Sequence, residues 1–240
     1  MQRSKIINAI DIGSSKVTTI MGQYFPEEKR YNVVAVSSLP AKGFRKGQII
    51  NLEQAIQTIT KSIESAERMA GSVIKSAIIS IAAKHVESVN SKGVVAISGN
   101  NGEISQDDVD RVIDAAQALS LPANKEIIHL IPRKFTVDGQ DGIVDPIGMS
   151  GVRLEVEAHL ILASTPAIKN LEKCFDNIGV DIESIVYAGL STAQIALTST
   201  EKELGVALVD IGGSVTSLTI FNESSPAYSK VIPIGAGHIT

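Results

Sequence analysis

The 240-residue sequence has a single cysteine, Cys174, so no disulfide can close within the chain, and a lone thiol beside Phe175 on an amphipathic segment reads as a buried side chain in a reducing compartment. No run approaches 18 apolar residues, which excludes a membrane-spanning helix from this sequence. Met1-Gln2-Arg3-Ser4-Lys5 leads directly into a strand pattern, without the apolar region and cleavage site of a signal peptide, so a cytoplasmic chain is expected. There is no long Lys/Arg run and the net charge is −4, so the concentrated basic face that nucleic acid requires is missing. G-x-x-x-x-G-K-[ST] is absent, and the glycine-rich turns that do occur open strands rather than helices, which argues against a dinucleotide-binding fold. His85, His129, His159 and His238 show no metal-ligand spacing and read as structural or surface residues. The loop Asp138-Gly139-Gln140-Asp141-Gly142-Ile143-Val144-Asp145-Pro146 has three carboxylates but lacks the spacing and closing Glu of a calcium loop.

What the sequence does contain is one turn made twice. Ile10-Asp11-Ile12-Gly13-Ser14-Ser15-Lys16-Val17-Thr18-Thr19-Ile20 is answered by Val209-Asp210-Ile211-Gly212-Gly213-Ser214-Val215-Thr216-Ser217-Leu218-Thr219-Ile220, with the two aspartates 199 positions apart. Each copy is an apolar strand ending on Asp, followed by a turn of Gly and Ser whose absent or short side chains let backbone N–H groups converge on an anion. A second β-rich run then leaves the turn. One Asp-x-Gly turn is an ordinary hairpin. Two in equivalent settings suggest two halves facing each other across a nucleotide. With 44 % hydrophobic residues the chain can bury the core of one large or two ordinary domains.

Along the chain, strands are expected at Ile6 to Ile12, Lys16 to Gly22 and Asn32 to Ser37, forming three adjacent antiparallel strands. Gly43-Phe44-Arg45-Lys46-Gly47 reads as a loop. Asn51 caps a helix with Gln54 at the capping-box position and Gly71 as its stop, and Ile56, Ile59, Ile63, Ala66 and Met69 or Ala70 form its apolar face. Ala77 to Ala82 reads as a strand covered on both faces.

From about Lys84 the texture changes. Short strands near Val86 to Val89 and Val94 to Ser98 flank a polar Gly99-Asn100-Asn101-Gly102 turn, and a helix starts at Ser105 and Asp108 with Val109, Val112, Ile113, Ala116 and Leu119 as its stripe. Asp107 and Asp108 suit the helix dipole. Further strands follow at Ile127 to Ile131, Lys134 to Val137 and Val152 to Leu162, the last with Arg153, Glu155, Glu157 and His159 on a wet face. A helix with Thr165 at its cap ends at Gly179, then come a strand at Ile182 to Tyr187, a helix at Leu190 to Leu197, and strands at Val206 to Asp210, Leu218 to Phe221 and Lys230 to Ile234. Gly235-Ala236-Gly237-His238-Ile239-Thr240 looks like the approach to a helix, leaving the second sheet incomplete.

Both hairpins, the Asn51 helix, the change of texture near Lys84 and Pro233-Ile234-Gly235-Ala236-Gly237-His238-Ile239-Thr240 together resemble the FtsA family of bacterial cell-division proteins, actin-like members of the actin, hexokinase and heat-shock-chaperone ATPase superfamily. The resemblance runs along essentially the whole chain. Its most specific parts are Asp11-Ile12-Gly13-Ser14-Ser15-Lys16-Val17, Gly148-Met149-Ser150-Gly151-Val152-Arg153, Ala188-Gly189-Leu190 and Glu203-Leu204-Gly205-Val206-Ala207-Leu208-Val209-Asp210-Ile211-Gly212-Gly213.

The resemblance implies an α/β, actin-like (ribonuclease-H-like) ATPase fold with a small α+β subdomain inserted in the first lobe. Residues 1–83 and 163–195 would form the first actin-like subdomain, 84–162 the inserted interaction subdomain, and 196–240 the start of the second. It implies ATP with Mg2+. Asp11 would stand near the metal and the attacking water, and Gly13, Ser14, Ser15 and Lys16 around the β- and γ-phosphates. Asp210 would be the second carboxylate at the metal, acting through metal-bound water, with Gly212, Gly213 and Ser214 on the opposite side. Magnesium needs only one or two carboxylates, and turn N–H groups with one lysine offset phosphate charge.

The partners it implies are other copies of the chain in a filament, later division proteins through the insertion, the tubulin-like FtsZ, and the inner face of the cell membrane at the division site. FtsZ and the membrane would be met through a last subdomain and a terminal amphipathic helix that lie beyond this sequence, so a fragment or a shortened relative is expected. Relatives commonly read Gly-Gly-Gly-Thr-x-Asp at the second turn, where this chain has Val215 and Ser217 in place of the hydroxyl and the carboxylate, so at most weak ATP hydrolysis is expected. The alternatives are a structural adaptor of the same fold with a degenerate clamp, and a small-molecule kinase of the same superfamily, for which no sugar-binding constellation is visible.

Overall fold

The computed structural model describes residues 4–99 and 102–238. Asn100 and Asn101 of the expected polar turn, and Ile239 and Thr240, lie outside the described residues. Strands β1 (Lys5–Ile12), β2 (Lys16–Phe25) and β3 (Arg30–Pro40) form an antiparallel meander, and β4 (Phe44–Arg45) with β5 (Gln48–Ile49) forms a small hairpin. After α1 (Leu52–Ala70), β6 (Ser76–Ile81) joins β1 in parallel, and much later β11 (Asp181–Tyr187) joins β6 in parallel, giving a five-stranded sheet in the order β11-β6-β1-β2-β3. The alternating burial of Ala77, Ile79 and Ile81 against half-buried Ser76, Ile78 and Ser80 shows that β6 is covered on both faces.

Helix α1 is set by its ends. Asn51 Oδ1 accepts from the Gln54 N–H at 2.9 Å, and Gly71, at φ 66°, donates back to Glu67 O at 2.8 Å. Its buried face is Ala55, Thr58, Ile59, Ser62, Ile63 and Ala66, rotated from the all-aliphatic stripe expected, and Met69 is 55 % exposed. Hydroxyls replace aliphatics here because they meet hydroxyls. Ser62 Oγ lies 2.8 Å from Thr19 Oγ1 of β2, both fully buried.

The insertion begins with β7 (Glu87–Ala96), continues through α2 (Gln106–Gln117), β8 (Lys125–Val137), β9 (Gln140–Ile143) and β10 (Arg153–Ser164), and gathers its own apolar core around Val112, Leu154, Ala158 and Leu160. Strand β7 is one strand, not two. Its polar middle is explained by Asn90, which donates to Ala227 O, and by Gly93, where a Cβ would lie 2.0 Å from Val112 O of α2. Strand β8 is likewise continuous, with a bulge at Pro132 and Arg133 where the sequence reads as a break. Asp108 is fully buried and accepts from the backbone and side chains of Ser105 and Ser98, and these bonds hold its carboxyl well below the usual range.

Helix α3 (Thr165–Ile178) has Ser164 rather than Thr165 at its N-cap position, without a side-chain capping bond, and ends at Gly179. Helix α4 (Ala188–Ala196) follows β11, and α5 (Ser199–Leu204), absent from the sequence-based expectation, opens on a Thr198/Glu201 capping box. Strands β12 (Val206–Ile211), β13 (Thr216–Asn222) and β14 (Ser225–Ile232) then extend the inserted sheet, giving the order β12-β13-β14-β7-β10-β8-β9. The join between β14 and β7 is short, Lys230 pairing Glu87, and is reinforced by Ser88 Oγ accepting from the Ser229 N–H at 2.8 Å.

Three imidazoles tie these parts together. His85 Nδ1 accepts from the Ser164 N–H at 3.1 Å, and His129 Nε2 of β8 accepts from the Tyr187 N–H at 2.9 Å. His159 is fully buried between Asn90 Oδ1 at 2.7 Å and Ser229 Oγ at 3.0 Å, so it belongs to no wet face. Burial, with Lys125 nearby, pulls His85 down to about 4; burial, with Arg133, does the same for His159; burial alone lowers His129. A neutral ring is needed at His85 and His129, because protonation would set a ring N–H against a backbone N–H. With folded values below the ordinary 6.5, the contribution of these residues to stability is complete above pH 6.5 and is lost as pH falls toward about 4. The unfolding midpoint in urea should therefore drop between pH 7 and pH 5, and His159→Gln should flatten that dependence; a midpoint independent of pH over this range would contradict the assignment.

Candidate functional site

The two Asp-containing turns are built alike down to their hydrogen bonds. In the first hairpin Asp11 pairs Thr18 and Ile12 pairs Val17; in the second, Asp210 pairs Ser217 and Ile211 pairs Thr216, the same register 199 residues later. The Gly13 N–H closes on Lys16 O at 3.0 Å and the Gly212 N–H on Val215 O at 2.9 Å. A Cβ at Gly13 would stand 2.7 Å from Lys16 O, so glycine is required there by close approach.

The turns meet. A Cβ on Gly213 would lie 2.9 Å from Ser15 Cβ and 3.1 Å from Ser15 Oγ, so the tip of one turn rests on the tip of the other. Asp210 is close enough for its charge to act on Asp11. Burial first, and then the negative charge of Asp210, push the Asp11 carboxyl above its ordinary value, against the Ser80 hydroxyl and Lys16, which lower it. Ser80 Oγ, directly across from Asp11 on β6, donates to Asp11 Oδ1 at 2.9 Å and fixes the direction of that carboxylate. Ser15 and Lys16 are exposed, and among the described residues Lys16 makes no ion pair. Val215, in the place equivalent to Lys16, is 5 % exposed and packs into the core, so the second turn brings no side-chain charge.

Several contributors escaped the sequence reading. The segment that looked like the approach to a helix braces the second turn: Ala236 and Gly237 donate to Gly212 O and Gly213 O, each at 2.9 Å, and a Cβ at Gly235 would strike Gly212 O at 2.4 Å. The first turn is braced by the Ala41 N–H, which donates to Ser15 O at 2.9 Å. Against the second hairpin lies the fully buried ring of Tyr187, whose hydroxyl donates to Leu218 O at 3.2 Å and receives Thr219 Oγ1 at 3.4 Å. Gly189 is packed so closely beneath it that a Cβ would be 2.3 Å from Thr219 Oγ1. The tip of the β4–β5 hairpin touches both turns. A Gly-x-Gly signal marked the first of these contributors; the ring and the small hairpin carry no local motif.

Chemically, two Gly/Ser turns, with Ser15 and Lys16 exposed, stand beside two carboxylates, a donor set that suits an anion together with a cation. Among the described residues no three His, Cys, Asp or Glu side chains gather as a metal set, so a cation here would be held by two carboxylates with water. The Asp210 charge adds to what burial does to the Asp11 carboxyl, and a divalent cation held between the two would relieve that part, so the residues present fit magnesium. A surface cavity of about 430 Å³ lined by Leu39, Lys42, Gln57, Thr58 and Lys61 lies on α1 and shares no residue with the turns.

Comparison with known proteins places the geometry. Residues 83–162 match the family model described as the SHS2 domain inserted in FTSA. The chain is 40 % identical over all 240 residues to cell division protein FtsA of Pseudomonas aeruginosa, of which it covers 57 %, and 38 % identical to that of Bacillus subtilis, of which it covers 54 %. It thus spans just over half the length of the curated relatives it matches. A chain of the PilM-PilN type IV pilus biogenesis complex shares its fold at 15 % identity and a TM-score of 0.66, with 97 % of this chain and 62 % of that one covered. The ethanolamine utilization protein EutJ of Carboxydothermus hydrogenoformans does so at 13 % identity and 0.52, with 98 % and 54 % covered. The fold is the α/β actin-like one.

The burial of the Asp11 charge beside Asp210 gives a direct test. Since the folded value of Asp11 is raised, its charged form costs stability at neutral pH, and the cost is relieved as pH falls through that value. Asp11→Asn keeps an acceptor for Ser80 and removes the charge, so the ligand-free variant should melt at or above the wild-type temperature, by about 2 °C. A clear fall in melting temperature would show that the buried charge of Asp11 does not cost the ligand-free fold stability.

Proposed function

We propose, from the premise that the chain belongs to the FtsA family of bacterial cell-division proteins over its whole length, that the paired turns bind the phosphates of ATP with Mg2+ and that this occupancy governs assembly at the division site. The observation that carries the reading is the contact of two turns with identical closure and register, Gly213 on Ser15, beside Asp11 and Asp210. Gly13, Ser14, Ser15 and Lys16 form one wall for the phosphates, and Gly212, Gly213 and Ser214 form the other. Asp11 and Asp210 hold the cation, Asp11 directed by Ser80. Bound magnesium would neutralise phosphate charge and polarise the terminal phosphate. With Val215 buried and Ser217 facing Tyr187 rather than a free carboxylate, the second wall binds without a charged side chain, so hydrolysis is slow at most.

For the whole protein the reading extends to self-association in an actin-like filament, to the tubulin-like FtsZ and to the inner face of the cell membrane, with the inserted domain as the surface for later division proteins. No helix among the described residues is long and apolar enough to cross a membrane. Burial of Val215 also supports a second reading, a nucleotide-independent adaptor that keeps the fold alone. Calorimetric titration with Mg2+ and ATP separates the two. A measurable affinity that falls at least about tenfold in Asp11→Ala and in Asp210→Ala, each with unchanged circular dichroism, is expected. No binding by the wild-type chain leaves the adaptor; unchanged affinity in both variants removes the site assignment.

A further inference from the structure

The small hairpin β4–β5 turns through Lys46 and Gly47, both at positive φ, 50° and 69°. This is the two-residue connection whose twist suits a hairpin, and it normally takes Asn or Gly at its first position. A lysine in that region is disfavoured and persists where its surroundings hold it. Those surroundings are specific. The Lys46 N–H donates to Ser214 Oγ of the second turn at 3.2 Å, and the next amide, Gly47 N–H, donates to Ser14 Oγ of the first turn at 2.8 Å. On its other side Lys46 O accepts from the Lys84 N–H at 3.2 Å. A Cβ at Gly47 would stand 2.1 Å from Ala82 O and 2.6 Å from Ala83 Cα. Two consecutive residues therefore touch one serine from each half of the cleft and also the backbone of Ala82, Ala83 and Lys84, where the inserted domain begins.

The direction of these bonds matters. Each serine oxygen already accepts an N–H from the hairpin, and neither hydroxyl hydrogen is donated to any described residue. A hydroxyl has one hydrogen to give. With their oxygens turned to the hairpin, both hydroxyl hydrogens are left to donate, which suits an anion between the turns.

Resting on the proposed phosphate cleft, we infer that the Lys46-Gly47 turn is its third, positioning element and the joint by which occupancy of the cleft is felt at the root of the inserted domain. A phosphate that draws the Ser14 and Ser214 hydroxyls together draws on adjacent amides of one tight turn, and the turn is seated on the Ala82–Lys84 backbone with no side chain between. By linkage, whatever binds the inserted domain and moves its root alters anion affinity by the same factor.

Amide hydrogen exchange on the intact chain tests this, comparing residues 44–50, residues 82–90 and, as internal reference, helix residues 106–117. Without ligand, Ser14→Ala and Ser214→Ala should each speed exchange about fivefold in both 44–50 and 82–90, with 106–117 unchanged, and Ser214→Thr should restore the wild-type rate. Acceleration confined to 44–50, no acceleration at all, or equal acceleration in the reference helix would overturn the joint. With Mg2+ and ATP, the wild-type chain should slow in 44–50 and 82–90 together. Slowing of residues 12–16 and 211–215 alone would also overturn it, whereas slowing nowhere would count against the nucleotide reading and leave the ligand-free comparison to decide the joint.

Discussion

The structure depends on the contact between two turns, Gly213 resting on Ser15, made possible because Gly213 has no side chain where it meets the short one of Ser15. Every element nearby serves to hold that contact. Strand β3 ends by bonding the first turn through Ala41, Gly235, Ala236 and Gly237 wrap the second, and the β4–β5 hairpin spans both. What is brought together is electrically uncomfortable. Two carboxylates share a partly buried space with Lys16 nearby, and burial first, then the charge of Asp210, raises the value of the Asp11 carboxyl. Sites tuned for a ligand are commonly less comfortable without it, since the groups that bind the missing charge face one another when it is gone.

The inserted domain is joined to the rest by polar bonds as well as by apolar packing, with Val86 and Ile161 lying in the main core. His85, His129 and His159 each reach across an element boundary, and Ser88, Asn90 and Ser229 complete the seam. Buried polar seams of this kind fix orientation, because each donor has one partner position, whereas aliphatic side chains tolerate sliding. The apolar clusters lie to either side, one around Ile10, Ile59, Ile79 and Phe175 and one around Val112, Leu154 and Leu160. A domain that has to present a surface in a defined direction gains from such a seam.

The repeated turn was legible in the sequence because its physics is local: a strand ending on Asp, then glycine where a Cβ would strike a carbonyl. The ends of α1 were legible for the same reason, through Asn51 and Gly71. What was hidden follows from contacts distant in sequence. The middle of β7 is polar because Asn90 serves His159 and Ala227, so it reads as a break. His159 alternates with residues of a wet face yet lies under β14, which arrives 70 residues later. The hydroxyls of α1 look solvated until Thr19 and Ser62 are seen to pair. The role of Lys46 and Gly47 had no local sign beyond a glycine, because their partners are Ser14 and Ser214.

The central claim is that one triphosphate is gripped from both sides at once. Backbone amide resonances followed during a single titration with Mg2+ and ATP test it most directly. The account predicts that the Gly13 and Gly213 amides shift together along one isotherm, since both turns close on the same ligand. Movement of one turn alone, or of the two with separate affinities, would contradict it.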